Sequence, residues 1–181
     1  MKSIPTPIQD CFILEPTVFS DERGSFFESY SKERFERAIG RQVDFVQDNQ
    51  STSKRGTLRG LHFQKGIYAQ AKLIRVIKGE VLDVIVDIRK ESPTFGQHFK
   101  VLLSAQNPKM LFIPRGIAHG FLSLEDEVVF AYKCDNYYHH EAESGILYND
   151  PDLAIDWGLS EEQLLLSPKD RQLPSFKLLA L

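Results

Sequence analysis

The sequence predicts a mainly β protein, a closed barrel or double-sheet jelly roll with a few short helices. Short apolar runs recur along most of the chain, each bounded by Pro, Gly, Asn or acidic turns. One of these runs alternates cleanly between two faces, and helical spacing is confined to brief stretches.

Taken in order, residues 12–19 and 25–30 are rich in Phe, Val and Leu and read as two short strands. Between them lies the polar turn Ser20-Asp21-Glu22-Arg23-Gly24, whose glycine accepts positive φ. Phe35, Ala38 and Ile39 then fall at helical spacing, with Gly40 at a C-cap position, so a short helix is expected over 31–39. From Lys72 the pattern turns to strands, and Lys78-Gly79-Glu80 between two Val, Ile and Leu-rich runs is a hairpin signal. In the second run Leu82, Val84, Val86 and Ile88 share one face, while Val81, Asp83, Ile85 and Asp87 share the other. Acids on an otherwise apolar face predict a lined cavity. Further strands are expected at 99–104, 110–113, 119–124 and 128–133. Ser160-Glu161-Glu162-Gln163 forms a capping-box pattern before Leu164, predicting one more short helix. No internal repeat, low-complexity segment or linker interrupts the chain, so one domain spanning residues 1–181 is expected.

With 42% hydrophobic and 11% aromatic residues, a chain of 181 residues can fill a substantial core. A net charge of -3, without a basic block at either end, argues against binding nucleic acid or an anionic membrane, although an anionic small ligand remains compatible. Cys11 and Cys134 lie far apart and match no metal spacing; free thiols in a reducing cytosol are expected. With no long apolar run or signal-peptide core, the expectation is a soluble cytoplasmic protein.

The chemistry-bearing stretch is Arg59-Gly60-Leu61-His62-Phe63-Gln64, which sets a guanidinium three residues from an imidazole. An imidazole takes and returns protons near neutral pH, as general acid-base work requires, but a lone His between Leu61 and Phe63 also reads as a hydrogen-bonded structural residue. Pro114-Arg115-Gly116-Ile117-Ala118-His119-Gly120-Phe121 resembles the second motif of the cupin jelly rolls. Metal-binding cupins typically supply two closely spaced His and an acid from their first motif. The comparable stretch here offers only His62, so no metal site is expected. His139-His140 are adjacent, but neighbouring side chains on an extended segment diverge, and they read as loop residues.

Many ordered motifs together resemble the dTDP-4-dehydrorhamnose 3,5-epimerase family over nearly the whole chain. The matching runs are Phe19 to Phe26, Gln47-Asp48-Asn49, Arg59 to His62, Gln70 to Leu73, Ser92 to Gly96, Pro114 to Phe121, Tyr132-Lys133, Tyr138, Glu143 to Ile146, Asn149 to Pro151 and Leu166 to Asp170. Two departures stand out: Gly158 follows Trp157 where the family usually has proline, and the loop Lys65 to Ala69 is not diagnostic. The resemblance implies a cofactor-independent isomerase acting on a dTDP-4-keto-6-deoxy sugar in rhamnose synthesis for surface polysaccharide such as O-antigen. In that role His62 is the base, Tyr132 the acid, Lys72 the support for an enolate oxygen, and Asp170 the partner of His62, with Asp83 competing for that place. Arg23, Glu28, Gln47, Asn49, Arg59, Glu143 and Lys169 are implied as nucleotide-sugar contacts, with His119 near the sugar and Tyr138 stacked on thymine. Family members are homodimers whose N-terminal strands cross to the partner, so Arg23 and Glu28 are expected to serve the neighbouring site. The alternatives are a single-centre epimerase on a related dTDP-4-keto sugar and a non-catalytic sugar-nucleotide binder.

Overall fold

Two antiparallel sheets face each other, and the alternation of each strand sends every second side chain into the space between them. The computed structural model describes residues 1–179. Its strands are β1 (Lys2–Pro5), β2 (Phe12–Glu15), β3 (Val18–Asp21), β4 (Gly24–Phe27), β5 (Gln47–Ser53), β6 (Leu58–Gln64), β7 (Lys72–Lys78), β8 (Glu80–Asp87), β9 (His98–Ser104), β10 (Met110–Ile113), β11 (Ile117–Ser123), β12 (Val128–Cys134) and β13 (Glu143–Gly145), with one helix, α1 (Lys32–Ile39), after β4. One sheet has the order β1-β2-β10-β7-β12-β5 and the other β13-β6-β11-β8-β9, while β3 and β4 form a separate hairpin. The predicted jelly roll with few short helices is the observed architecture.

Packing follows from strand alternation. On β8, Val81 and Ile85 enter the core between the sheets with Ile74, Val76, Leu103 and Phe130, while Val84 and Val86 pack on the outer face under the C-terminal segment with Ile146, Leu153 and Trp157. Covered on both faces, the strand is apolar on both. The outer face of the other sheet is closed by α1, whose Phe35 and Ile39 meet Leu14, Leu73, Met110 and Phe112. The helix ends where expected: Gly40 takes φ +73° and its N–H donates to Glu36 O at 2.8 Å. The capping box also forms, on a single 3-10 turn over Glu161–Gln163, with Ser160 N–H donating to Gln163 Oε1 at 3.1 Å. None of the helices among the described residues is long and apolar enough to cross a membrane.

The hairpin expected across Gly79 does not form. β7 pairs with β10 and β12, whereas β8 pairs with β9 and β11, so the chain changes sheets at this corner. Gly79 makes the change possible at φ +77°, where a Cβ would stand 2.9 Å from Glu127 O. The apolar stretch 12–19 is likewise two strands, because Pro16 lacks an N–H for the ladder and Val18 onward peels away. The turn that follows is tighter than expected, since Asp21 pairs with Gly24 around Glu22 and Arg23. Strands β1, β5, β6 and β13 have no apolar run to announce them. β5 is polar because its inward residues line a cleft, and in β6 a Cβ on Gly60 would lie 2.5 Å from Gly120 Cα, so the strand must run past β11 without a side chain there.

Asp87, the second acid on the inward face of β8, is spent on structure. Its Oδ2 accepts from Arg89 Nη2 at 2.7 Å and from Ser92 Oγ and Thr94 Oγ1 at 2.6 Å, tying the loop after β8 to the sheet. Burial pushes this carboxyl up, but those donors outweigh it and hold it down to about 2. A folded-state pKa below the unfolded value gives stability that is present above pH 4 and lost as pH falls towards 2, about 2 kcal/mol in all. Urea unfolding should therefore show this loss between pH 4 and 2. Asp87→Asn should flatten the slope in that window and lower stability at pH 7; an unchanged slope would contradict the assignment.

Candidate active site

Inward positions of five strands converge on one cleft. His62 of β6 and His119 of β11 are register partners on one sheet, and Asn49 of β5 and Tyr132 of β12 are register partners on the other. Lys72 of β7 lies opposite Cys134 on β12. Together with Arg59, Lys169 and Asp170 they line a cavity of about 290 Å³, a volume near the lower end for small-molecule sites.

The imidazole of His62 is held by a carboxylate from far along the chain. Its Nε2 lies 2.5 Å from Asp170 Oδ1, and Ser167 Oγ donates to Asp170 Oδ2 at 2.8 Å while accepting Asp170 N–H at 3.1 Å. Burial raises the Asp170 carboxyl more than any single contact lowers it, but His62, Ser167 and Lys169 together outweigh it and leave it below the usual carboxylate range. Asp170 therefore stays charged and fixes the ring. Asp83 is committed elsewhere: its Oδ2 lies 2.9 Å from His119 Nε2. The competition between the two acids is thus settled by position, Asp170 for His62 and Asp83 for His119.

Across the cleft, burial pushes the Tyr132 phenol up to about 12, with Cys134 and Glu143 acting in the same direction. The phenol keeps its proton at neutral pH. Lys72 Nζ stands 5.5 Å from the centre of the Tyr132 ring. Its pKa is lowered because burial disfavours the ammonium, an effect opposed by Cys134, Asp83 and Glu143. Arg59 is steadied by Nε donating to Ser53 Oγ at 3.2 Å, leaving part of its fork for an anion.

At the rim, Glu143 Oε2 accepts from Tyr138 Oη at 2.7 Å and pairs with Lys169 Nζ at 2.5 Å. Burial raises the Glu143 carboxyl, and these two partners outweigh it. The Tyr138 ring is exposed beside the mouth, and its backbone N–H donates to Gln47 Oε1 at 3.0 Å. Arg23 and Glu28 are not brought to the cleft: Arg23 pairs with Asp21 at the tip of the β3–β4 hairpin, and Glu28 pairs with Arg34. The hairpin itself exposes Phe19 at 63% and Phe26 at 71%. Sequence reasoning missed Gln50, Ser51, Phe121, Phe130 and Ser167 as lining residues. Polar alternation through Gln47, Asn49, Ser51 and Ser53 was a signal that could have found part of that wall. Among the described residues no group of three or more His, Cys, Asp or Glu could hold a metal ion.

A jelly roll with a carboxylate-held imidazole on one sheet, facing a proton-retaining phenol and a lysine on the other, carries groups able to take and give protons across one cleft. The sequence model of the dTDP-4-dehydrorhamnose 3,5-epimerase family matches residues 5–177. A relative of that name from Salmonella typhimurium is 56% identical over 171 residues, covering 94% of this chain and 93% of its own. The solved structure of the enzyme of that name from Elizabethkingia anophelis superposes with a TM-score of 0.94 at 51% identity, covering 98% of this chain and 97% of that one. One from Legionella pneumophila, described as dTDP-6-deoxy-D-glucose-3,5-epimerase in complex with dTDP-4-keto-L-rhamnose, gives 0.93 at 50% identity, covering 98% and 93%. The chain belongs to the dTDP-4-dehydrorhamnose 3,5-epimerase family and is an isomerase.

The lowered pKa of Lys72 has a direct readout. Competitive acetylation followed by peptide mass spectrometry should place the half-reaction of Lys72 at lower pH than that of the exposed lysines, because its free amine forms earlier. Titration together with the exposed lysines would contradict it.

Proposed function

We propose that the chain inverts C3 and C5 of dTDP-4-dehydro-6-deoxy-D-glucose to give dTDP-4-dehydro-L-rhamnose, in dTDP-L-rhamnose biosynthesis. The observation that carries this reading is the His62–Asp170 pair on one sheet and Tyr132 on the facing sheet. Hydrogens at C3 and C5 are both α to the C4 ketone. His62 removes one, the electron pair moves onto the ketone oxygen, and the Lys72 ammonium meets the resulting enolate. Tyr132 returns a proton to the carbon from the other side, so the centre inverts, and proton exchange with water resets both groups. Asp170 holds the ring and offsets the charge it gains.

In this reading Arg59, Lys169 and Glu143 hold the diphosphate and sugar, with Gln47 and Asn49 beside them, His119 faces the sugar ring, and Tyr138 stacks on thymine. The whole chain acts as one catalytic domain, needs neither metal nor cofactor, and works in the cytoplasm, in keeping with the free buried thiols of Cys11 and Cys134. It binds neither nucleic acid nor membrane. It acts as a homodimer in which the β3–β4 hairpin covers its partner and delivers Arg23 and Glu28 to the partner's cleft, which accounts for the two exposed phenylalanines.

Base and acid separate in deuterated water. His62→Ala should lose deuterium uptake and inversion together, whereas Tyr132→Phe should keep uptake while inversion falls by about 10² to 10⁴. NMR of substrate and product reads both, and also shows whether C3 and C5 are both inverted. A Tyr132→Phe enzyme that inverted both centres at the parent rate would sink the acid assignment. The dimer has its own test. Deleting the N-terminus is unsuitable, since Leu14 of β2 is core. Phe19→Ser with Phe26→Ser should instead give a folded monomer by sedimentation with weakened dTDP binding; a persistent dimer would refute the hairpin's role.

A further inference from the structure

The cleft holds a second imidazole with a carboxyl behind it. On the inward face of one sheet, Asp83 of β8 pairs with Phe121 of β11 and lies diagonal to His119, whose own register partner is Ile85. Asp83 Oδ2 stands 2.9 Å from His119 Nε2. Asp83 is fully buried and does not line the cavity, whereas His119 does, so Nε2 is turned away from the cleft into the wall. The two nitrogens of an imidazole point nearly opposite ways. Nδ1 of His119 has no protein partner among the described residues and is not one of their buried unpaired polar atoms, so it opens on the cavity. A carboxylate only accepts; Nε2 therefore carries the hydrogen of the neutral ring, and Nδ1 keeps a lone pair. Asp83 gives the fold little in return. Its neighbours on the same face, Val81, Ile85 and Phe121, belong to an apolar core cluster, and its other oxygen, Oδ1, is buried with no partner. A carboxyl buried with a single contact costs stability that an apolar side chain of similar size would not.

We propose that Asp83 is a positioning residue for sugar recognition: it holds the His119 ring so that Nδ1 faces the cleft and accepts a hydroxyl hydrogen from the bound sugar. The assignment rests on the reading of the ligand as a dTDP-4-keto-6-deoxy sugar. On such a sugar C1 carries the diphosphate, C4 is a ketone and C6 a methyl, so only the hydroxyls at C2 and C3 have a hydrogen to give. The ketone oxygen only accepts and falls to the Lys72 ammonium, which only donates. Without the carboxyl neither the rotation nor the tautomer of the His119 ring is fixed, and the sugar has to order it on binding. His62 and His119 are register partners, so the wall carries two imidazole–carboxyl pairs side by side. Their tasks differ: Asp170 serves the base, and Asp83 serves the ring that reads the hydroxyl.

Two ligands separate sugar recognition from nucleotide binding in calorimetry: dTDP has no such sugar, and dTDP-L-rhamnose has hydroxyls at C2 and C3 but no ketone to enolise. Asp83→Leu should weaken dTDP-L-rhamnose by about tenfold, the loss expected for one hydrogen bond, against about twofold or less for dTDP. Its Tm should stay level or rise, because a buried carboxyl has gone. Asp83→Asn should recover most of the sugar affinity, since an amide oxygen also accepts from Nε2–H. Equal weakening of both ligands by Asp83→Leu would make Asp83 a part of the fold and overturn the proposal, as would parental affinity for dTDP-L-rhamnose. The tautomer needs no variant. Long-range proton–nitrogen NMR spectra of the parent should place the His119 hydrogen on Nε2, and they carry the test if Asp83→Leu does not fold; a hydrogen on Nδ1 would overturn the acceptor assignment. A parent that bound neither ligand would instead remove the substrate reading, and the proposal with it.

Discussion

A cleft that can pass a proton across a bound molecule needs proton-carrying groups on opposed walls. Two sheets packed face to face supply those walls, and strand alternation supplies the residues. His62, His119 and Asp83 stand inward on one sheet, and Lys72, Tyr132 and Asn49 stand inward on the other. The neighbours of His62, Leu61 and Phe63, turn the other way and build the outer core. A one-residue slip of β6 would reverse this, putting apolar groups in the cleft and the imidazole against the C-terminal segment.

Burial then acts differently on each of these groups. The same withdrawal from water that keeps the Tyr132 proton in place would make Asp170 a poor anion, yet Asp170 remains charged because His62 and Ser167 donate to it. Lys72 is held between the two tendencies, its ammonium disfavoured by burial and supported by Cys134, Asp83 and Glu143. Asp83 and Asp87 sit on the same face of one strand and have parted company. Asp87 meets an arginine and two hydroxyls and locks a loop, while Asp83 meets a histidine in the cleft.

The sequence by itself determined the architecture wherever apolar residues alternate or run together. β8 through β12, the short helix closed by Gly40 and the capping box at Ser160 all came from local patterns, because burial and capping act on residues close in the chain. It also named most of the cleft through motif resemblance. What local pattern could not carry was pairing. Whether β7 folds back on β8 or crosses to the other sheet depends on partners dozens of residues away, and Gly79 permits either. β5 was invisible because its inward face serves a cleft and so is polar. The choice between Asp170 and Asp83 for His62 needed a carboxylate 108 positions away to be brought within 2.5 Å, and only the tertiary fold sets that distance.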